Sequence, residues 1–202
     1  MTDALENLRQ ILSAKLGDNL HAARIDREEL TVEITLEGFH AACLWLRDDP
    51  ACRFDMLIDV CGVDYSEYGD GTWKGPRFAV VYHLLSLPHR QRIRLRIFAD
   101  TELPIVPSVV DVWAAANWFE RETFDLYGIL FDGHPDLRRI LTDYGFVGYP
   151  FRKDFPLVGT VEMRYDADQG RVIYEPTRTE ERVVVPRIIR AEEEGRYNAR
   201  NQ

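Results

Sequence analysis

The chain lacks most of the devices with which proteins hold cofactors. Its three cysteines, Cys43, Cys52 and Cys61, stand in a C-x8-C-x8-C spacing, whereas iron–sulfur and zinc sites draw on tight pairs such as C-x2-C. They are too few for a disulfide framework and read as buried structural thiols in a reducing compartment. The five histidines, His21, His40, His83, His89 and His134, form no H-x-x-x-H or H-E-x-x-H pair, so no helical metal motif is present. His83, inside an apolar run, reads as a core or edge residue. Neither G-x-x-x-x-G-K-[ST], G-x-G-x-x-G nor G-x-S-x-G occurs, which removes the phosphate cradle and the nucleophile elbow. No apolar run approaches the roughly 18 residues of a membrane helix. The N-terminal stretch carries Asp3, Glu6, Arg9 and Lys15 without an apolar block, so no signal peptide is expected.

What remains is an ordinary globular composition: 202 residues, 46% hydrophobic and 29% charged, enough for one domain with an appendage. The net charge of −9 makes nucleic acid a poor partner. That charge lies entirely in residues 1–148, with 15 Lys+Arg against 24 Asp+Glu, while residues 149–202 balance at 10 each. Leu5, Leu8, Ile11, Leu12 and Leu16 predict an amphipathic helix over 3–16, stopped by Gly17. Residues 30–36 alternate as a half-buried strand, Phe39–Leu46 reads as a short helix, and Phe54–Val63 as a central strand. Residues 66–76 are turn chemistry. Residues 77–87 and 91–99 predict a hairpin whose second strand alternates Arg92, Arg94 and Arg96 with Ile93, Leu95 and Ile97, one face being solvated or meeting an acidic partner. A long helix is expected over 108–127, with Ser108 and Asp111 as capping box and Gly128 as stop. Beyond it, four prolines and short β-like runs near Val161 and Val183 predict no second core. The expectation is an α+β fold, a mixed β-sheet with helices packed on it over 1–148, followed by a long extended C-terminal tail over 149–202.

Chemistry-bearing residues concentrate in 120–139. Glu120, Glu122 and Asp125, with His134, are candidates for acid/base work. At about 100° per residue, Trp118, Arg121, Glu122 and Asp125 share one helical face, opposite Val112, Ala116, Phe119, Thr123 and Leu126. Arg121 and Asp125 are an i,i+4 pair of the kind that stabilises a helix surface. Two residues resist that plain account. Glu120 falls towards the apolar face, where a carboxylate needs a partner, and Trp118 stands in the middle of the charged face, as in a protein–protein contact. After the helix, Gly133-His134-Pro135-Asp136 predicts a sharp turn with Asp136 capping a short helix over 137–141. Arg138 and Arg139 pair either with nearby acids or with carboxylates of a partner.

The run Glu120-Arg121-Glu122-Thr123-Phe124-Asp125-Leu126-Tyr127-Gly128-Ile129, followed by Gly133-His134-Pro135-Asp136-Leu137-Arg138-Arg139-Ile140-Leu141, resembles the signature of the 30 kDa subunit of respiratory complex I. The block Tyr149-Pro150-Phe151-Arg152-Lys153-Asp154-Phe155-Pro156-Leu157 and the segment Val161–Asp166 are similar to the same family, and Val184–Arg190 resembles its proteobacterial branch. The resemblance implies a structural subunit in the hydrophilic arm of proton-pumping NADH:quinone oxidoreductase, an enzyme as a whole whose FMN and iron–sulfur clusters sit in other subunits. It implies that this chain holds no cofactor and no metal, and that its tail wraps the 49 kDa-type quinone-site subunit beside neighbouring iron–sulfur subunits. It implies ubiquinone as electron acceptor and a peripheral place on the cytoplasmic side of the bacterial inner membrane, with membrane contact only through the complex. Trp118, Glu120, Arg121, Glu122, Asp125, Gly128, Gly133, His134, Pro135, Asp136, Arg138, Arg139, Arg152 and Asp154 are then expected at interfaces between subunits or as signature residues. Two rivals remain: a subunit of a related hydrogenase, and a stand-alone enzyme built on the 120–136 carboxylates and His134.

Overall fold

A computed structural model describes residues 2–156, 158, 159 and 161–177. Chain contacts divide it into Met1–Phe155 and Pro156–Gln202.

The first unit is built on a five-stranded sheet. After helix α1 (Thr2–Leu16) come β1 (Leu20–Asp26), β2 (Glu29–Ile34), helix α2 (Leu36–Asp48), β3 (Met56–Asp64), β4 (Phe78–Ser86) and β5 (Gln91–Ala99). The spatial order is β1-β2-β5-β4-β3. All neighbours are antiparallel except β2 and β5, whose parallel pairing needs the intervening chain as a crossover. Alternation puts Leu30, Val32 and Ile34 of β2, Phe78, Val80, Tyr82 and Leu84 of β4, and Ile93, Leu95 and Ile97 of β5 into one core. Leu5, Leu8, Leu12 and Leu16 of α1, and Phe39, Ala42, Cys43 and Leu46 of α2, pack on that face, as the 3.6-residue period requires. Thr35 caps α2 by accepting from the Gly38 N–H at 3.4 Å.

The opposite sheet face answers the arginine alternation of β5. Its acidic partner is β2 of the same chain: Arg94 pairs with Glu29 and Arg96 with Glu33. At one end Tyr65, Trp73 and Phe98 stack, with centroids 5.0 and 5.9 Å apart, and close the 66–76 loop over the sheet.

Strands β6 (Ile105–Pro107) and β7 (Leu130–Asp132) form a short parallel pair on either side of helix α3 (Ala116–Tyr127). α3 starts eight residues later than the sequence pattern predicts. Ser108 and Asp111 make no capping box; residues 110–115 are mostly turns, and the Ser108 hydroxyl is taken by Glu120. α3 lies against β3, where the Thr123 hydroxyl donates to the Val60 carbonyl at 3.3 Å. A Cβ on Gly62 would stand 2.6 Å from the Tyr127 ring, so glycine lets the helix approach.

In the second unit the described residues form a hairpin of β8 (Val161–Asp166) and β9 (Arg171–Pro176). The expected β-run near Val161 lies in β8; the one near Val183 lies outside the described residues.

Candidate functional site

The signature residues gather around α3 and the irregular chain that follows it to Phe155. Two buried carboxylates organise this region, and both do so through contacts distant in sequence.

Asp125 is fully buried. Its Oδ2 accepts from the N–H groups of Ile140, Leu141 and Thr142 at 3.0, 2.7 and 2.9 Å. Its Oδ1 accepts from Arg139 at 2.9 Å and from the Thr142 hydroxyl. Burial alone would raise this carboxyl, but the Thr142 hydroxyl and the three N–H groups outweigh it and hold it well below the usual carboxylate range. These contacts explain two departures from expectation. Residues 137–141 form no helix capped by Asp136, because the N–H groups of 140–142 point to Asp125 rather than to carbonyls. The Arg121–Asp125 surface pair does not form either. Arg121 is buried, donates to the Arg138 carbonyl at 3.2 Å and lies 5.1 Å from the Trp118 ring centroid.

Arg139 closes the loop: it also donates to the Thr142 hydroxyl at 2.9 Å and to the Gly148 carbonyl at 3.0 Å, and stacks 5.3 Å from Tyr149. Arg138 is exposed and pairs with Asp136 at 2.8 Å. His134 joins the turn to α3. Its Nδ1 accepts from the Asp136 N–H at 3.0 Å, so Nε2 carries the hydrogen given to the Asn117 carbonyl at 3.1 Å. With both ring nitrogens engaged by backbone groups, His134 fixes the turn against α3. Gly133 takes φ +82° in that turn and Pro135 is exposed beside it.

The second carboxylate was not singled out by sequence pattern. The buried Asp64, at the end of β3, receives Arg77 in a fork at 3.0 and 2.8 Å and the N–H groups of Ser66 and Lys153, both at 3.0 Å. Burial opposes ionisation, yet Arg77 and the N–H groups hold the carboxyl well below its usual range. Arg77 also reaches Asp154 at 3.0 Å, and Arg152 donates to the Tyr127 carbonyl at 2.6 Å while lying over Tyr149 and Phe78. Residues 149–155 are thereby strapped to α3 and the sheet. Gly128 ends α3 at φ +72°, and a Cβ there would meet Tyr149 at 2.5 Å and Arg152 at 2.7 Å.

Glu120 has the partner its position demands. It is fully buried, accepting from the Ser108 hydroxyl at 2.6 Å and the Val109 N–H at 2.8 Å. Burial, aided by the like charge of Asp111, pushes its carboxyl up to about 7 against those two donors. Glu122 is half-buried. Glu120 and Asp125 are thus both enclosed and bonded within the chain. Among the described residues, no three His, Cys, Asp or Glu side chains converge as a metal ion would require.

Several large apolar side chains stand exposed outside this network. Trp118 is 63% exposed, Tyr144 85% and Val147 88%, with Leu141 and Phe151 exposed as well. The Leu141 N–H donates to Asp125 at 2.7 Å and the Phe151 N–H to the Leu126 carbonyl at 3.1 Å, so these two side chains are presented to solvent from held backbone, and Trp118 from helix α3. That combination suits a protein contact better than a substrate pocket.

The comparisons with known proteins agree on a family. A family model described as "Respiratory-chain NADH dehydrogenase, 30 Kd subunit" matches residues 32–161. An NADH-quinone oxidoreductase subunit of Acidithiobacillus ferrooxidans is 83% identical over 202 residues, the full length of both chains. The subunit of the same name in Thiobacillus denitrificans is 59% identical over 196 residues, 96% of this chain and 98% of its own. A solved trypsin-resistant fragment of Nqo5 is 36% identical, with a TM-score of 0.56 over 66% of this chain and 99% of the fragment. A chain of an archaeal membrane-bound sulfane sulfur reductase shares the fold at 21% identity, TM-score 0.63, over 85% of this chain and 99% of that one. The chain belongs to the 30 kDa subunit family of respiratory-chain NADH dehydrogenase, complex I.

Proposed function

We propose that the chain is a non-redox bracing subunit of the peripheral arm of proton-translocating NADH:quinone oxidoreductase. In this reading the complex passes electrons from NADH through FMN and iron–sulfur clusters, all in other subunits, to ubiquinone. The chain contributes no reacting group. Exposed side chains of 118–151 and the chain beyond residue 155 hold the 49 kDa-type quinone-site subunit and neighbouring iron–sulfur subunits, on the cytoplasmic side of the inner membrane. The observation that carries the reading is that large apolar side chains, Trp118 foremost, are exposed on a region whose helix α3 is tied to the following chain by a buried ionic network. A rigid frame lowers the ordering cost of association. Trypsin resistance of the Nqo5 fragment supports an extension of the same pattern here, a resistant body followed by a tail that is cut in the free chain and protected in the complex.

The test is recovery of the tagged chain from gently solubilised membranes, read by mass spectrometry and by NADH:quinone activity. Flavin- and iron–sulfur-bearing subunits with activity are expected. A hydrogenase large subunit instead, or a solitary chain that itself oxidises NADH, would overturn the proposal.

A further inference from the structure

Among the described residues three carboxylates are buried, Asp64, Glu120 and Asp125. Two of them hold an arginine: Asp64 takes Arg77 and Asp125 takes Arg139. Glu120 is the exception. Its donors, the Ser108 hydroxyl and the Val109 N–H, are both neutral, and among the described residues no cation pairs with it. Burial without a cation favours the protonated carboxyl, because a bare charge is costly to desolvate. The titratable groups that face Glu120 do not change this. Asp111 adds a charge of the same sign, while Cys43 of α2 and Tyr82 of β4 are pushed well up by burial and stay neutral.

Glu120 grips one end of a short turn that joins α3 to α2. In residues 109–112 the chain folds back on the Val109 carbonyl, which accepts from the N–H groups of Val112 and Trp113 at 3.0 and 2.9 Å. The turn is pinned on both sides. The Ser108 N–H donates to the Asp132 carbonyl at 2.8 Å, and the Trp113 indole donates to the Phe54 carbonyl at 3.0 Å. Across it, α2 presents His40, Cys43 and Arg47 as one stripe at i, i+3 and i+7. His40 Nε2 lies 3.0 Å from both Asp111 carboxylate oxygens, and Arg47 donates to the Asp111 and Val112 carbonyls at 3.3 and 2.9 Å. Cys43, between these two clamps in the stripe, is fully buried.

We propose that residues 109–112 are a latch between α2 and α3, shut while Glu120 is protonated and released locally, uncovering Cys43, when Glu120 ionises. Shut, the latch keeps the carboxyl from water and at about 7; open, the carboxyl is hydrated and returns towards 4.5. The open form therefore gains on the shut one by about tenfold per pH unit between those values and levels off above them. From pH 5 to pH 8 the gain is about 70-fold. His40 and Arg47 clamp the same turn and set how often it opens. Release breaks the contacts of one turn and leaves the five-stranded sheet paired, so it is a sub-global opening, distinct from unfolding of the chain.

Thiol labelling reads the open form. The purified full-length chain is treated with methyl methanethiosulfonate from pH 5 to pH 8, and label on Cys43 is measured by peptide mass spectrometry at low conversion. Each rate is divided by that of an unfolded peptide spanning Cys43 at the same pH, which removes the thiol's own titration. The normalised rate is expected to rise about 70-fold from pH 5 to pH 8. It should stay nearly constant in dilute urea, since a local opening exposes little surface. Glu120→Gln should cut the rise to below about threefold. His40→Ala loosens the clamp and leaves Glu120 in place, so it should label several-fold faster at both pH values and keep the rise. No rise in wild type, a full rise in Glu120→Gln, or no acceleration in His40→Ala overturns the proposal. So does labelling that climbs with urea in step with the unfolded fraction, which would mean that Cys43 is reached by global unfolding alone. Should Glu120→Gln fail to fold, the wild-type and His40→Ala measurements decide.

Discussion

Glu120→Gln tests the buried α3 contact by its pH dependence. Glu120 is enclosed with two hydrogen-bond donors and, in Asp111, a charge of its own sign. Cys43 and Tyr82, which feel its charge, are themselves pushed well up by burial and stay neutral. The folded protein thus binds a proton at Glu120 more tightly than the unfolded chain, whose carboxyl sits near 4.5 against about 7 in the fold. Protons bound preferentially by the native state stabilise it at low pH. The contribution is complete below about 4.5 and is lost as pH rises through about 7, a decline worth about 3 kcal/mol in total. Glutamine removes the titration but cannot accept from both donors as a carboxylate does, at a cost of about 1 kcal/mol. In urea unfolding followed by tryptophan fluorescence, Glu120→Gln should be about 1 kcal/mol less stable than wild type at pH 5 and about 2 kcal/mol more stable at pH 8. The same deficit at both pH values would show that Glu120 is ionised throughout and refute the reasoning.

Asp125→Asn strips the charge that pairs with Arg139 and receives three backbone N–H groups; breaking such a partly buried pair should cost about 3 kcal/mol, and amide exchange at Ile140–Thr142 should accelerate ahead of the sheet. Gly128→Ala forces a left-handed backbone on alanine and drives its Cβ against Tyr149 and Arg152, for a loss above about 1 kcal/mol; a melting temperature equal to wild type would contradict the packing described. Asp64 is the opposite case to Glu120: its carboxyl is depressed from 3.8, so its stabilisation is full above about that value and disappears as pH falls below it. Asp64→Asn should therefore lower stability at pH 7 and flatten the acid limb of a pH–stability profile, and an unchanged acid limb would refute this.

The helices α1 and α2 and the strands β2 to β5 were legible because each repeats a simple period against one core. β1 was missed: the alternation in Leu20–Asp26 is broken by Ala22 and Ala23 and by a register shift near Leu20. β6 and β7 have three residues each, too few for any period. Within the candidate site, the sequence pattern marked Glu120 as a buried acid needing a partner and Trp118 as an aromatic out of place, and both stand where that reasoning put them. The pattern failed wherever a nearby partner was the natural expectation and a distant one prevailed. Arg121 and Asp125 are one turn apart, yet the carboxylate binds residues 139–142, because three convergent N–H groups and an arginine compensate burial where a single surface pair would not. Asp64 left a faint signal, an acid closing an apolar strand, but its partners at 77 and 153 are joined to it only by the fold.

The central claim, that the Trp118 surface joins subunits and does not serve this chain's own stability, is tested most directly by Trp118→Ala measured in two ways. Trp118 is mostly exposed and touches Arg121 through a ring contact, so the purified chain should lose no more than about 1 kcal/mol in urea unfolding. Membranes from cells carrying the same variant should lose assembled oxidoreductase and NADH:quinone activity several-fold. A loss of stability large enough to account for the loss of assembly, or full assembly with the alanine in place, would contradict the account.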